Sequence, residues 1–193
     1  VSVFGSSLAA ATNLAPGFPL PTAIDGVSVE VIDGARTLTA PLFFVSAGQI
    51  NAQLPFDITS ASVQVRVKNS TGTSASQTIP IAARCPRILT KTMNGRGDAI
   101  VTHADFTVVS TDAPALAGEI VILFLAGLGA VSPQIAAGQM AGIGTPADPL
   151  NVVQDDVIVK VDDASAKVHY KGLAPYFAGL YQLNFQVDRK STV

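Results

Sequence analysis

Six amides in two sets are the residues of this 193-residue chain whose type and spacing best suit recognition chemistry. They are Gln49, Asn51 and Gln53, then Gln182, Asn184 and Gln186. Within each set they recur at every second position with apolar residues between: Gln49-Ile50-Asn51-Ala52-Gln53-Leu54 and Gln182-Leu183-Asn184-Phe185-Gln186-Val187. An amide carries two N–H donors and a carbonyl acceptor, so a row of three can read sugar hydroxyls or the backbone of a partner. The same groups serve equally to bond nearby loop backbone or an interface between units. Both readings, recognition strip and structural tether, stand at this stage.

Other chemistry has less behind it. His103 and Asp105 are spaced to share one strand face, with His169 far downstream, but a zinc site needs three or four convergent ligands. The acidic pairs Asp155-Asp156 and Asp162-Asp163 could hold calcium, yet no ligand spacing accompanies them and solvated turns are the simpler reading. No serine lies in a Gly-x-Ser-x-Gly elbow. Gly127-Leu128-Gly129 has neither the lysine nor the following helix of a phosphate loop. Cys85, the single cysteine, is read as an unpaired thiol at a domain junction. Arg96-Gly97-Asp98 is the tripeptide that some adhesion ligands present, though Gly-Asp turns are ordinary punctuation between strands. The expectation is no catalytic residue, no metal and no cofactor.

The elements that must position the amides are strands. Alternation of amide and apolar residues has the period of a pleated ribbon with one buried face. Upstream of the first set, Pro19-Leu20 … Val27-Ser28-Val29-Glu30-Val31 is echoed by Pro149-Leu150 … Val157-Ile158-Val159-Lys160-Val161, 130 positions on. The amide blocks are 133 positions apart, so an internal duplication with about three residues of net insertion is expected. Asp33-Gly34 reads as a hairpin turn. Pro41 interrupts Leu38–Val45 and should place it at an edge or a bend. Val63-Gln64-Val65-Arg66-Val67-Lys68 is a further alternating strand, and 76–82 closes the first unit. Residues 85–97 look like a linker, 99–101 and 106–109 strand-like, 120–126 a buried strand, and 127–148 a long loop with at most one helical turn at 138–144. No segment carries an apolar 3.6-residue period over a dozen residues. The first unit has two further strands after its amide strand, whereas few residues follow Gln186. The closing strands of the second unit are expected to be missing, to lie outside the chain, or to come from other segments, which makes a homo-oligomer by strand exchange an open possibility.

Composition narrows the classes. Charged residues are only 13%, net charge is −2, and no basic run exists, so no footprint for nucleic acid is visible. The longest apolar run, Ile120–Ala126, is too short to span a membrane as a helix. Val1 opens on a strand-like run rather than on signal-peptide regions, as expected of a chain whose leader was removed or of a piece of something longer. With 16 Gly and 12 Pro, short strands joined by tight turns are expected.

Several motifs together carry a resemblance. They are Val3-Phe4-Gly5-Ser6-Ser7-Leu8-Ala9, Ala40-Pro41-Leu42-Phe43-Phe44-Val45-Ser46, Gly48–Pro55, Ala126-Gly127-Leu128-Gly129, and Gly172-Leu173-Ala174-Pro175 … Gly179–Val187. Nearly the whole chain resembles a duplicated, uncharacterised domain near the C-termini of large acidobacterial (Solibacter-type) proteins, and more distantly is similar to immunoglobulin-like IPT/TIG domains. The resemblance implies an extracellular or cell-surface setting and no catalytic residue. Two departures are a short tail and Asp188 in place of the first copy's Pro55.

The expectation is thus an all-β chain of two tandem Ig-like antiparallel β-sandwich units, 1–90 and 91–193. It would be a non-enzymatic module of a secreted or surface protein, spacing, anchoring or adhering to neighbouring domains or surface partners, with no nucleic acid and no membrane span. Loops 9–18 and 127–148 and the amide strips would carry the function. The alternative is a carbohydrate-binding module using Tyr170, Tyr176 and Tyr181, with Tyr176 as the stacking ring. A hydrolase is a distant third, for want of an acid–base pair.

Overall fold

The computed structural model describes residues 1–187, and every regular element among them is a β-strand. The contrast drawn at Asp188 lies outside the described residues. The chain divides into two compact units: Val1–Ala82 with Ile135–Met140, and Ala83–Gln134 with the chain from Ala141 onward. The expected boundary after residue 90 falls inside the second unit. The reason is that Arg87 and Ile88, read as linker, are bonded to Ala126 and Leu125 as a strand. The six residues 135–140, expected to belong with the second half, are part of the first unit.

Unit 1 contains β1 (Ser2–Phe4), β2 (Asn13–Leu14), β3 (Ser28–Asp33), β4 (Arg36–Ala40), β5 (Leu42–Val45), β6 (Gln49–Ala52), β7 (Ser62–Asn69), β8 (Gly72–Thr73) and β9 (Gln77–Pro80). One antiparallel sheet runs β1-β6-β5-β2, and the other runs β4-β3-β7 with β8 and β9 along the far side of β7. Val29, Val31, Val63, Val65 and Val67 from the second sheet form one core with Leu42, Val45, Ile50 and Ala52 from the first. The unit is therefore a two-layer sandwich. Each fully buried Val, Leu or Ile contributes about 1.5–3 kcal/mol by leaving water. Pro41 sits where the chain leaves one layer for the other: β4 ends just before it in one sheet and β5 begins just after it in the other. The turn after β3 is Gly34-Ala35, one residue later than Asp33-Gly34, because Asp33 still pairs with Arg36. The buried carboxylate of Asp33 accepts the Thr59 and Ser60 main-chain N–H groups at 3.0 and 3.1 Å and the Thr59 hydroxyl at 3.1 Å, tying the approach to β7.

Unit 2 contains β10 (Arg87–Ile88), β11 (Val101–Thr102), β12 (Ile120–Ala126), β13 (Val131–Ser132), β14 (Val152–Val153), β15 (Val159–Val161), β16 (Ala164–Leu173) and β17 (Tyr181–Gln186). They form one bonded series, β10-β12-β17-β16-β14-β13, with β11 also beside β12 and β15 beside β16. Val121, Leu123 and Leu125 of β12 and Leu183 and Phe185 of β17 are buried together on its inner side. Of the expected strand at 106–109, only an isolated bridge from Thr102 to Val108 forms, because Phe106 takes a left-handed turn at φ 67°. No helical turn forms at 138–144.

The two units share a local pattern. In unit 1 the β5–β6 register slips between Leu42 and Phe44, leaving Phe43 as a bulge and setting Phe44 opposite Asn51. In unit 2 the β16–β17 register slips between Val168 and Tyr170, leaving His169 as a bulge and setting Tyr170 opposite Asn184. The preceding hairpins also correspond, Val31 pairing with Leu38 and Val161 with Ala164. Spacing locates the changes. Val31 and Val161 are 130 positions apart, Leu38 and Ala164 126, and Asn51 and Asn184 133. The net difference of three is thus a first hairpin four residues shorter and a second hairpin seven residues longer, Tyr170 to Asn184 against Phe44 to Asn51. The turn of that second hairpin, 174–180, carries Tyr176.

Candidate functional site

Directly opposed residues of an antiparallel pair point to the same side of the sheet. In unit 1, Phe4 lies opposite Gln49, Ser2 and Phe44 flank Asn51, and Leu14 lies beyond Phe44. Their neighbours Ile50 and Val45 enter the core, so this row faces outward. Phe4 and Leu14, on the two outer strands of this sheet, are each 73% exposed. Within the row, Gln49 Nε2 donates to Asn51 Oδ1 at 2.7 Å, and Ser2 Oγ donates to the same oxygen at 2.9 Å. Asn51 Nδ2 and Gln49 Oε1 have no hydrogen-bond partner among the described residues. The result is an apolar rim of Phe4, Phe44 and Leu14 around one oriented donor group and one acceptor.

Unit 2 repeats the arrangement. Phe124 lies opposite Gln182, and Ile122 and Tyr170 flank Asn184. Gln182 Nε2 donates to Asn184 Oδ1 at 2.8 Å. Here the surroundings are tighter: Ile122 is buried, Phe124 is half-buried, and the Tyr170 hydroxyl donates to the Leu173 carbonyl at 2.7 Å. In each unit the first glutamine orients the asparagine, and a ring stands beside each amide.

The third amide of each set does something else. Gln53 is buried past the end of β6, and its Oε1 accepts the Gly138 main-chain N–H at 2.8 Å. Gln186 Nε2 donates to the Gly118 carbonyl at 2.9 Å. Both are tethers, so the recognition strip in each unit reduces to two amides. Tyr176 stands at the tip of the β16–β17 connection, 60% exposed and at φ 68°, beside Phe177 at 50%. Tyr181 is buried and its hydroxyl donates to the Gly129 carbonyl. The three tyrosines therefore do not form one platform.

The remaining candidates resolve into structural roles. His103 Nδ1 lies 2.6 Å from Glu119 Oε1, and Nε2 lies 3.2 Å from the Ala113 carbonyl. Two acceptors, one on each ring nitrogen, favour the imidazolium and raise its pKa, the Glu119 hydrogen bond being the main cause. Glu119 is held below its ordinary value by the Leu116 N–H, at 2.8 Å, and then by His103. Asp105 is likewise lowered, because it accepts the Thr107 hydroxyl and N–H at 2.6 and 3.0 Å. Asp155 pairs with Arg84 at 2.6 Å, and Asp162 occupies the first position of the β15–β16 turn. No group of three or more His, Cys, Asp or Glu converges as a metal site among the described residues. Cys85 is exposed, with its N–H bonded to the Gly127 carbonyl. Arg96-Gly97-Asp98 lies in a small loop closed by a Thr90–Ala99 bridge and the Thr92 hydroxyl on the Arg96 carbonyl.

Sequence reasoning located the amides but missed Phe4, Phe44, Leu14 and Phe124 as their neighbours. Phe4, Leu14 and Phe124 are distant in sequence and Phe44 lies across a turn, and only the pairing register brings them beside the amides. The chain matches no protein-family model, no curated protein and no solved structure.

Proposed function

We propose that the chain is a non-catalytic interaction module of a secreted or cell-surface protein, built from two copies of one Ig-like β-unit. The amide–aromatic face would be its docking surface for neighbouring domains or a surface partner. The observation that carries this reading is the repetition: both units set a glutamine-oriented asparagine opposite a ring at the same bulge. A bulge re-aims side chains and is a built feature rather than an accident of register. In unit 1 the exposed Phe4 ring beside a free amide donor and acceptor gives area and hydrogen-bond direction together, the chemistry of interface anchors. The resemblance to acidobacterial C-terminal domains read from the sequence motifs would imply the same setting.

The test is retention of the chain on isolated bacterial envelopes and on neighbouring domains of its parent protein. Phe4→Ser with Leu14→Ser should leave the melting temperature unchanged and weaken retention at least about fivefold, as loss of an apolar anchor does. Unchanged retention would remove the face from consideration. The carbohydrate-binding alternative draws on Tyr176 and Phe177, the two exposed rings at one hairpin tip. Glycan-array binding abolished by Tyr176→Ala would favour it over protein docking.

A further inference from the structure

The hydrogen-bonding edge of β15 is open among the described residues, while its counterpart in unit 1, β3, is covered by β7. The consequence is visible in burial. Val31, Ala40 and Leu42 are 0% exposed, whereas Val161, Ala166 and Val168 at their positions are only half-buried; Val159, at the position of Val29, is buried. Ile158, beside the strand, is 79% exposed. A hollow of about 440 Å³ lies along β16, lined by Val152, Asp156, Val157, Val168, Tyr170 and Lys171 among others and by no residue of β15. In the β15–β16 hairpin Val161 and Ala164 close a two-residue turn and bond each other, so the N–H and C=O of Lys160, next along, point to the open edge. An unpaired edge of this kind is a template for a further strand.

The covered edge shows what such a strand must look like. β7 lies antiparallel to β3 with Val65 and Val67 opposite Val31 and Val29. Arg66 lies opposite Glu30 and meets it at 2.6 Å. At the position of Glu30 the second unit has Lys160, which is exposed and in no ion pair among the described residues. The charge at the centre of the edge is therefore reversed. We infer that β15 accepts an antiparallel strand from another polypeptide, with β-branched residues opposite Val159 and Val161 and a carboxylate opposite Lys160. A second copy of this chain is a poor occupant by electrostatics. Self-pairing centred on Lys160 sets ammonium against ammonium. Self-pairing centred on Val159 sets the Lys160 of each copy opposite Ile158 of the other, with no carboxylate to meet it. This surface is distinct from the amide–aromatic faces and does not depend on them.

The probe is a synthetic peptide of residues 62–69 carrying Arg66→Glu, compared with the unaltered segment. Binding to the whole chain is followed by amide NMR at Ile158 and Lys160. The glutamate peptide should bind about fivefold or more tighter than the arginine one, and Lys160→Glu in the protein should reverse that order, since a cross-strand charge pair supports a change of this size. Methylating the peptide nitrogen at the glutamate should abolish binding. Several results would overturn the inference: no binding by either peptide, no reversal with Lys160→Glu, or binding that survives methylation. So would a concentration-dependent dimer that protects the Lys160 amide. None of these results touches the Phe4 and Leu14 experiment, so the two readings fail separately.

Discussion

Gln53 and Gly138, 85 positions apart, are joined by a buried hydrogen bond of 2.8 Å from the glycine N–H to the glutamine Oε1. Gly138 adopts φ 83°, and a Cβ there would meet the Pro41 ring at 3.0 Å and the Leu20 carbonyl at 3.2 Å. Its own carbonyl accepts the Leu20 N–H at 2.8 Å. The segment 135–140 is thus held to the first unit on both of this residue's backbone groups. Gln53→Ala leaves a buried N–H without a partner and should cost about 1–3 kcal/mol in urea unfolding. It should leave retention through the amide–aromatic face unchanged. Loss of retention at unchanged stability would return Gln53 to the recognition strip.

Asp33 gives an acid-side signature. The Ser60 and Thr59 hydrogen bonds lower its pKa to about 2 against an ordinary 3.8. Because the folded value is depressed, the stability it contributes is complete above about pH 4 and is lost as pH falls toward 2. Asp33→Asn should be less stable than the native chain at pH 6, and the gap should close as pH falls through that window. A gap independent of pH would mean that the carboxylate charge is not what the loop uses.

His103 and Glu119 behave in opposite senses. The folded pKa of His103 is raised above 6.5, so its contribution is complete below that value and is lost as pH rises through the folded one. The folded pKa of Glu119 is lowered below 4.5, so its contribution is complete above 4.5 and is lost as pH falls through the folded one. The pair should therefore stabilise the β11–β12 connection most between about pH 5 and 6.5. Melting temperature followed from pH 5 to 8 should fall with rising pH in the native chain and lose most of that slope in Glu119→Gln. An NMR titration placing His103 at or below 6.5 would contradict the geometry.

Gly127 is required for a close approach. It sits at φ 79°, and a Cβ would fall 2.3 Å from the Cys85 carbonyl oxygen. That backbone cannot move without breaking the Cys85 N–H bond to the Gly127 carbonyl at 2.9 Å, next to β10. Gly127→Ala should destabilise by more than about 2 kcal/mol, left-handed strain and steric overlap acting together. Gly95 provides the control: it has φ 75° and nothing within 4 Å, so Gly95→Ala should cost only the strain, about 1–2 kcal/mol. Equal losses at the two sites would show that the approach to Cys85 relaxes freely.

Much of the fold was legible because strand periodicity is a local property. The alternation at 27–31, 63–68 and 182–187 alone places apolar residues on one face and polar residues on the other, and the folded strands keep those faces. Turn chemistry was nearly as readable: Asp162-Asp163 turns as expected, and Asp33-Gly34 is displaced by one residue because the strand pairs one rung further. The failures are non-local. Arg87 and Ile88 look like linker until β12 pairs with them, and 106–109 looks like strand until Phe106 turns left-handed.

The amino-acid sequence by itself determined the all-β class, the echo between 27–54 and 157–187, and the shared face of Gln49 with Asn51 and of Gln182 with Asn184, since a two-residue period needs only neighbours. Tertiary structure alone decided which residues stand beside the amides, that Gln53 and Gln186 are tethers, and that the edge of β15 is open among the described residues. Those outcomes depend on pairing register between segments tens of residues apart, where a slip of one residue moves a side chain to the other face of the sheet.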